Sequence, residues 1–185
     1  MKKGIVLLLL FFLSGCSGTT DEMEAGLKLR SELLQASGCS FTAEITADYG
    51  DQLHMFSLDC RSDSDGTLSF AVTEPEPISG ITGKLTGECG ELIFDETALY
   101  FELLAEEQLS PICAPWILMK TLRNGYLTSA CREEGAIRLS IDDSFEEDPL
   151  CLDVWLNSEN LPERAEILYD GRKILSVSLK KFEIL

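Results

Sequence analysis

Basic residues are scarce in this chain of 185 residues: 15 Lys and Arg stand against 32 Asp and Glu, and the net charge is −17. Nucleic acids are bound through Lys and Arg side chains that neutralise phosphates, so a chain this acidic is not expected to bind them. The same excess of negative charge disfavours a protein body that lies flat on anionic lipid.

Histidine is nearly absent, since His54 is the only one. It falls in a predicted strand, and no nucleophile motif such as G-x-S-x-G accompanies it, so a surface position is favoured over a role as a base. Catalytic carboxylate spacing and phosphate-binding loops are missing as well. The sequence therefore predicts no enzyme activity and no cofactor.

Acidic residues crowd one loop, 142–148, but calcium-type spacing is lacking. Hard cations prefer oxygen ligands of this kind. The loop does not fit an EF-hand, however, and neither does the segment 63–66, because Arg61 stands at its first ligand position. A solvated acidic loop is favoured, and no metal site is predicted.

Long apolar runs are missing after the N-terminus. The first fifteen residues have a positive start at Lys2 and Lys3, an apolar run over 5–13, and small residues at Ser14 and Gly15. This pattern is typical of a secretory signal peptide, and its apolar run is too short to span a bilayer. We therefore predict a signal peptide over 1–15.

The four residues Leu13-Ser14-Gly15-Cys16 resemble the lipobox of bacterial lipoproteins. The resemblance implies that the Cys16 thiol carries a diacylglycerol and that cleavage occurs just before it. Two acyl chains anchor a protein stably where one does so only marginally. We expect a lipidated tether at 16–19, a domain at 20–185, and a place in the bacterial cell envelope, on the outer face of the cell membrane or facing the periplasm.

The sequence contains no C-x-x-C motif. Zinc binding and thioredoxin-like redox chemistry are therefore poorly supported. Six cysteines follow Cys16, an even number that suggests disulfides in an exported protein. Small buried thiols are an equally good interpretation. The six are Cys39, Cys60, Cys89, Cys113, Cys131 and Cys151.

The hydrophobic pattern predicts a helix first, then strands with one helix among them. Residues 19–35 have helical periodicity, with an apolar stripe of Met23, Leu27, Leu33 and Leu34, and Gly38 placed to end the helix. Alternating patterns and turn dipeptides such as Asp65-Gly66 and Asp170-Gly171 then predict about ten or eleven strands. A mid-chain helix is expected from about Pro115 to Arg123.

An antiparallel sheet of that length curls towards a barrel. The expected fold is α+β and mainly β, an incomplete barrel with the N-terminal and mid-chain helices on its concave side. A sheet that is not fully closed needs apolar groups to fill it. We therefore expect a ligand cleft bordered by the mid-chain helix, at Trp116, Ile117, Met119 and Leu122.

The order and spacing of these elements resemble the LolA/LolB-like superfamily of lipoprotein carriers. The resemblance rests on the strand at 41–47 after the N-terminal helix, the mid-chain helix at 110–125, the closing series at 135–141, 150–156, 162 and 169–171, and a final long strand. It implies a half-barrel whose concave face takes up acyl chains. The early strands contain only Arg61, so no clear counterpart of the arginine that controls the lid of the soluble carrier is present.

Two main functions follow from these observations, with disulfide or redox chemistry at the six cysteines as a weaker third. The first is a membrane-anchored protein that binds a lipid or acylated ligand without catalysis, and that receives or holds it at one membrane. The second is a protein-interaction or envelope-sensing module with a filled core, which binds through an edge strand or through the loop at 142–148.

Overall fold

The computed structural model describes residues 20–48, 53–87, 89–95, 97–102, 104–105, 108–146 and 149–185. The signal peptide, Cys16 and the tether at 16–19 lie outside the described residues. Two helices are present, α1 at Thr20–Gln35 and α2 at Ala114–Asn124, with 3₁₀ turns at Glu76–Ile78 and Pro111–Cys113. No helix of the described part is long and apolar enough to cross a membrane.

The strands follow the chain as antiparallel neighbours. They are β1 Gly38–Asp48, β2 Leu53–Asp63, β3 Leu68–Glu74, β4 Thr82–Thr86, β5 Cys89–Phe94, β6 Thr97–Glu102, β7 Leu104–Ala105, β8 Gln108–Leu109, β9 Tyr126–Glu133, β10 Ala136–Asp142, β11 Cys151–Leu156, β12 Pro162–Tyr169 and β13 Arg172–Ile184.

Eleven of these strands form one sheet in the order β6-β5-β4-β3-β2-β1-β13-β12-β11-β10-β9, and β7 pairs with β8 in a separate ribbon. The strands β6 and β9 end the sheet, so its ladder does not close on itself among the described residues. The prediction of a mainly β, incomplete antiparallel barrel with two helices is confirmed.

The two faces of the sheet differ sharply because side chains alternate along each strand. On β1 the buried series Phe41, Ala43, Ile45 and Ala47 alternates with the half-buried Thr42, Glu44 and Thr46. We call the first side the inner face and the second the outer face. Strand register carries the same division across the sheet, since Ala43 is paired with both Leu58 and Leu179.

Helix α1 packs against β9 and β10, but through a face that the sequence pattern misplaced. Leu29 and Leu33 are buried, whereas Leu27 and Leu34 are more than half exposed. Gly26 belongs to the buried face, and a Cβ there would lie 3.0 Å from Leu139 Cδ2. Met23 and Leu33 of the expected stripe do pack against the core, but Leu27 and Leu34 do not, because the helix approaches the sheet through a glycine.

Gly38 does not end α1 as expected. The helix ends at Gln35, and Gly38 is the first residue of β1. A Cβ at this position would lie 2.5 Å from the backbone oxygen of Ser62. The glycine is therefore required by the close approach of β1 to β2, and not by a left-handed helix cap.

Candidate ligand-binding face

Helix α2 lies across the inner face, where it contacts β2, β10, β13 and α1. Pro111 and Pro115 stand in first turns, where a missing backbone N–H costs no hydrogen bond. Gly125 follows the last helical residue, and a Cβ there would lie 2.7 Å from the Thr121 oxygen. Nearly every side chain of α2 is buried, so the helix fills the space within the curl of the sheet.

The four residues predicted to border a cleft all lie in this filled region. Trp116, Ile117, Met119 and Leu122 are 8%, 4%, 2% and 3% exposed and pack within one core cluster. Trp116 and Met119 also border a cavity of about 350 Å³ next to Gly66 and Gly87. Ile117 and Leu122 do not line that cavity.

Polar contacts attach α2 to its neighbours. The buried Arg123 donates from Nη1 to Ser62 Oγ at 3.1 Å and to the Asp63 carbonyl oxygen at 2.7 Å. Trp116 donates from Nε1 to the Gly66 oxygen at 3.1 Å, and Arg30 Nε donates to the Leu122 oxygen at 2.8 Å. Arg123 Nε and Nη2 find no partner among the described residues, so burying this guanidinium is costly in itself.

The inner face is not covered evenly. We call β9–β13 with β1–β3 the covered part of the sheet and β4–β6 the open part. One row of paired inner residues runs Phe70, Gly83, Leu92 and Leu99 from β3 to β6. Phe70 is 4% exposed, Leu92 is half-buried and Leu99 is 62% exposed. The apolar side chains of this row thus become more exposed on the concave side with increasing distance from the helices.

Phe94 and Phe101 extend this uncovered apolar surface. Phe94 is 59% exposed, and Phe101 is half-buried against the core. With Leu92 and Leu99 they form what we call the open inner patch. Sequence reasoning placed the ligand contacts on α2 and missed this patch, although apolar residues at 92–94 and 99–101 were the available signal.

Two glycines shape the floor beside this patch. A Cβ on Gly83 would lie 2.3 Å from Phe70 Cζ, and one on Gly90 would lie 2.2 Å from Phe101 Cζ. Each ring therefore lies directly over a neighbouring strand where only hydrogen is tolerated. The absence of side chains at Gly83 and Gly90 is therefore what lets the two rings approach the backbone so closely.

The six described cysteines are all free thiols. Burial raises the pKa of Cys39 to about 11 and that of Cys113 to about 12, and it also raises the pKa of Cys60. Burial is likewise the first cause that raises the pKa of Cys151 to about 11. Thiolate is the reactive form, so these four thiols have little nucleophilic character at neutral pH.

The remaining sequence candidates do not come together at one place. His54 is an exposed residue of β2, paired with Ala47 of β1. Only part of the acidic loop at 142–148 is described, and there Asp143 accepts a hydrogen bond from the Leu150 N–H at 2.8 Å. Among the described residues no group of three or more His, Cys, Asp or Glu side chains is placed to hold a metal ion.

Neither a protein-family profile nor a curated protein matches this chain. Among solved structures it is similar to a LolA superfamily protein from Nitrosomonas europaea, with 9% identity, a TM-score of 0.48 and coverage of 86% of this chain and 93% of that chain.

The chain is also similar to the lipoprotein LppX from Mycobacterium tuberculosis, with 10% identity, a TM-score of 0.42 and coverage of 88% and 93%. LprF from Mycobacterium bovis gives 10% identity, a TM-score of 0.43 and coverage of 90% and 95%. The Nitrosomonas europaea protein is of the LolA superfamily, which this sequence resembles.

Proposed function

We propose that this protein is a lipid-anchored component of the bacterial cell envelope that holds a lipid or acylated ligand on the inner face of its incomplete barrel. The observation that carries the proposal is the open inner patch of Leu92, Phe94, Leu99 and Phe101. Large apolar side chains exposed together on a concave surface are typical of a ligand site.

The chemistry of the patch suits an acyl chain. Its four side chains offer no hydrogen-bonding groups, and each methylene buried against them contributes about 0.8 kcal/mol. Polar ligands would lose hydration there without compensation. The position also suits a chain that enters from solvent, because exposure falls steadily from Leu99 through Leu92 to Phe70.

The predicted cleft residues belong to this proposal as the closed end of the site. Trp116, Ile117, Met119 and Leu122 fill the interior now, and an acyl chain longer than the open inner patch would extend towards them only as α2 moves. Movement of α2 requires loss of the Arg123 hydrogen bonds to Ser62 and Asp63. We propose no catalytic step.

The anchor completes the proposed function. Cys16 would carry the acyl chains, the residues 16–19 would form the tether, and the domain at 20–185 would stand near one membrane. Attached in this way, the protein would receive or hold its ligand at that membrane, without carrying it to another one. The acidic composition would keep the body off anionic lipid.

Native mass spectrometry of the full-length protein, extracted in several mild detergents, tests the proposal. We expect a population that carries one lipid or acylated molecule. Leu99→Gln should remove this population. Leu53→Gln is the matched control, because Leu53 is 60% exposed and Leu99 is 62% exposed. Leu53 pairs with the outer-face residue Asp48, so its substitution should leave the bound population unchanged. A ligand-free mass in every detergent, or equal loss in both variants, would contradict the proposal.

A second function, strand addition by a protein partner, is favoured by the edge at β6. This strand ends the sheet, and Leu99 and Tyr100 on it are 62% and 73% exposed. It contains neither Lys nor Pro, the residues that commonly protect an edge from pairing. An extended segment of a partner could therefore continue the sheet beyond β6.

The two functions respond differently to a proline. Ala98→Pro removes a backbone donor from β6 but leaves the open inner patch in place, so it should abolish partner binding and preserve lipid binding. Cross-linking in membranes, followed by identification of the linked protein, provides the measurement. Neutralising Asp142 and Asp143 tests whether the acidic loop contributes instead.

A further inference from the structure

The outer face carries a second cavity, of about 730 Å³, that the proposed lipid site does not use. We call it the outer groove. Its volume lies within the usual range for small-molecule sites, about 300–1,000 Å³. Its lining differs in kind from the open inner patch, because hydroxyl and charged side chains dominate it. A ligand in this groove would therefore differ in chemistry from one on the open inner patch.

A row of paired outer residues forms the floor of the groove. Ser57 of β2 faces Glu44 of β1, Glu44 faces Ser178 of β13, and Ser178 faces Arg164 of β12. Neighbouring strands lie about 4.8 Å apart, so this row spans about 14 Å. The floor suits an elongated ligand better than a single compact group.

The segment after β3 forms one wall. The ladder between β2 and β3 shifts register at Ser57, which faces Glu74, and Thr73 Oγ1 donates to the Ser57 oxygen at 3.2 Å. The chain then turns through Glu76–Ile78, and Gly80 N donates to the Val72 oxygen at 2.9 Å. Irregularities of this type commonly redirect side chains beside binding sites. Here they place Glu74 and Glu76 in the wall beside the floor.

Hydroxyl groups supply much of the polar lining of the groove. Ser57, Ser176 and Ser178 line it, and so does Thr73, whose Oγ1 donates to the Ser57 oxygen. Elsewhere on the outer face hydroxyls bond to carboxylates, as Thr42 does to Asp59 at 2.8 Å and Ser140 to Asp153 at 2.6 Å. The groove therefore presents several groups that can both donate and accept hydrogen bonds.

The charges narrow the class of ligand. Glu44 is paired with Lys180, but Glu74, Glu76 and Arg164 form no ion pair among the described residues. Arg164 instead lies over the Trp155 ring, 3.8 Å from its centroid, which fixes its direction. A simple cation would be repelled by Arg164, and a simple anion would be repelled by the carboxylates. A neutral molecule with many hydroxyls avoids both conflicts.

We propose that the outer groove binds a neutral oligosaccharide. Sugar hydroxyls donate to the Glu74 and Glu76 carboxylates, accept from Arg164, and do both with the serine hydroxyls of the floor. Met55 and Pro75 give the groove apolar surface for the carbon faces of the sugar rings. The proposal is independent of lipid binding, because the two sites lie on opposite faces of the sheet.

Isothermal titration of the full-length protein in detergent tests the assignment. The probes are neutral tetrasaccharides of glucose and of N-acetylglucosamine, with spermidine as a cation and glycerophosphoethanolamine as a zwitterion. We expect at least one tetrasaccharide to bind and the two charged probes not to bind. Ser57→Ala should weaken that binding about fivefold, the effect of one lost hydrogen bond.

A blocking variant keeps the test decisive. Ser178→Tyr fills the groove and should abolish binding. The control is Ser129→Tyr, because Ser129 is another exposed serine and pairs with the outer-face residue Ser140 on β10. This variant should bind normally. Circular dichroism confirms that both variants fold. Failure of every tetrasaccharide to bind at millimolar concentration, binding of a charged probe instead, or equal effects of the two tyrosines would overturn the proposal.

Discussion

The covered and open parts of the sheet have the same strand pairing but different neighbours. On β10, β11 and β13 the inner residues Leu139, Leu152 and Leu175 are at most 2% exposed because helices fill the concave side. On β5 and β6 the inner residues Phe94 and Leu99 are about three-fifths exposed. The position of the helices, rather than the pairing of the strands, therefore determines which strands contribute to the hydrophobic core.

This difference in covering has a consequence for stability. The covered part buries enough apolar surface to hold the fold. The open part keeps large apolar side chains in solvent, so burial stabilises it less. Under the proposed function this lower stability would be typical of a region that binds a ligand.

The largest expected contrast comes from truncating one leucine in each part. Leu118→Ala removes a fully buried side chain of α2 and should cost about 2–5 kcal/mol of unfolding free energy, because a cavity remains. Leu99→Ala should change it by less than about 0.5 kcal/mol. Urea denaturation followed by circular dichroism measures both, and equal losses would show that β6 is covered in solution.

The attachment of α2 gives the next contrast. Arg123→Met should cost about 1–3 kcal/mol, because Ser62 Oγ and the Asp63 oxygen lose their buried donor. The control is Arg132→Met. Arg132 forms an ion pair with Glu22 and is more exposed than Arg123, so its loss should cost less than about 1 kcal/mol. Thermal unfolding separates the two, and a smaller loss for Arg123 than for Arg132 would contradict its role.

Alanine substitutions at Gly83 and Gly90 compare the strand of the open part that adjoins β3 with the strand that adjoins the edge strand β6. Gly83→Ala should cost about 1–3 kcal/mol, since the new Cβ meets both the buried Phe70 ring and the Glu91 backbone oxygen. At Gly90 the nearest atoms to the new Cβ all belong to the ring of Phe101, which is less buried than Phe70, so Gly90→Ala should cost less than Gly83→Ala. Chemical denaturation decides the order, and the reverse order would mean that Phe101 is as firmly held as Phe70.

The smallest contrast concerns the thiols. Burial raises the folded pKa of Cys113 to about 12 and that of Cys39 to about 11, from an unfolded value near 9. Their contribution is complete below pH 9 and is lost as the pH rises towards 11 and 12, so stability should fall in that window. Cys113→Ala should flatten the decline in a pH series of denaturation curves.

Thiol labelling of the native protein at mildly alkaline pH gives the matching control. The exposed Cys89 and Cys131 should react rapidly, while Cys39, Cys60 and Cys113 should react only after unfolding. Mass spectrometry of peptides identifies the labelled sites. Rapid labelling of Cys113 in the native state would show that α2 leaves the inner face readily.

Local chemistry was sufficient to predict most of the strands. Asp65-Gly66 and Asp170-Gly171 predicted tight turns, and Gly66, Asp170 and Gly171 have φ values of 87°, 48° and 68°, as such turns require. Alternation along 41–47 likewise predicted β1. These features depend on residues that are close together in the sequence.

The burial of α1 and the open inner patch could not be predicted in the same way. Leu27 and Leu34 look like core residues in a helical pattern, but the helix approaches β10 through Gly26, a contact between residues more than a hundred positions apart. Similarly, nothing local distinguishes Leu99 on β6 from Leu139 on β10. The paths of α1 and α2 across the sheet decide which of them is covered.

Among the described residues β6 and β9 end the sheet without pairing to each other, and this leaves the size of the interior adjustable. A closed barrel has a circumference set by its number of strands and their stagger, so a wider interior would require a broken ladder. In an open sheet the strands can uncurl while the hydrogen bonds between them are kept. For the proposed ligand, acyl chains of different length would then be accommodated by sheet curvature, with the number of strands constant.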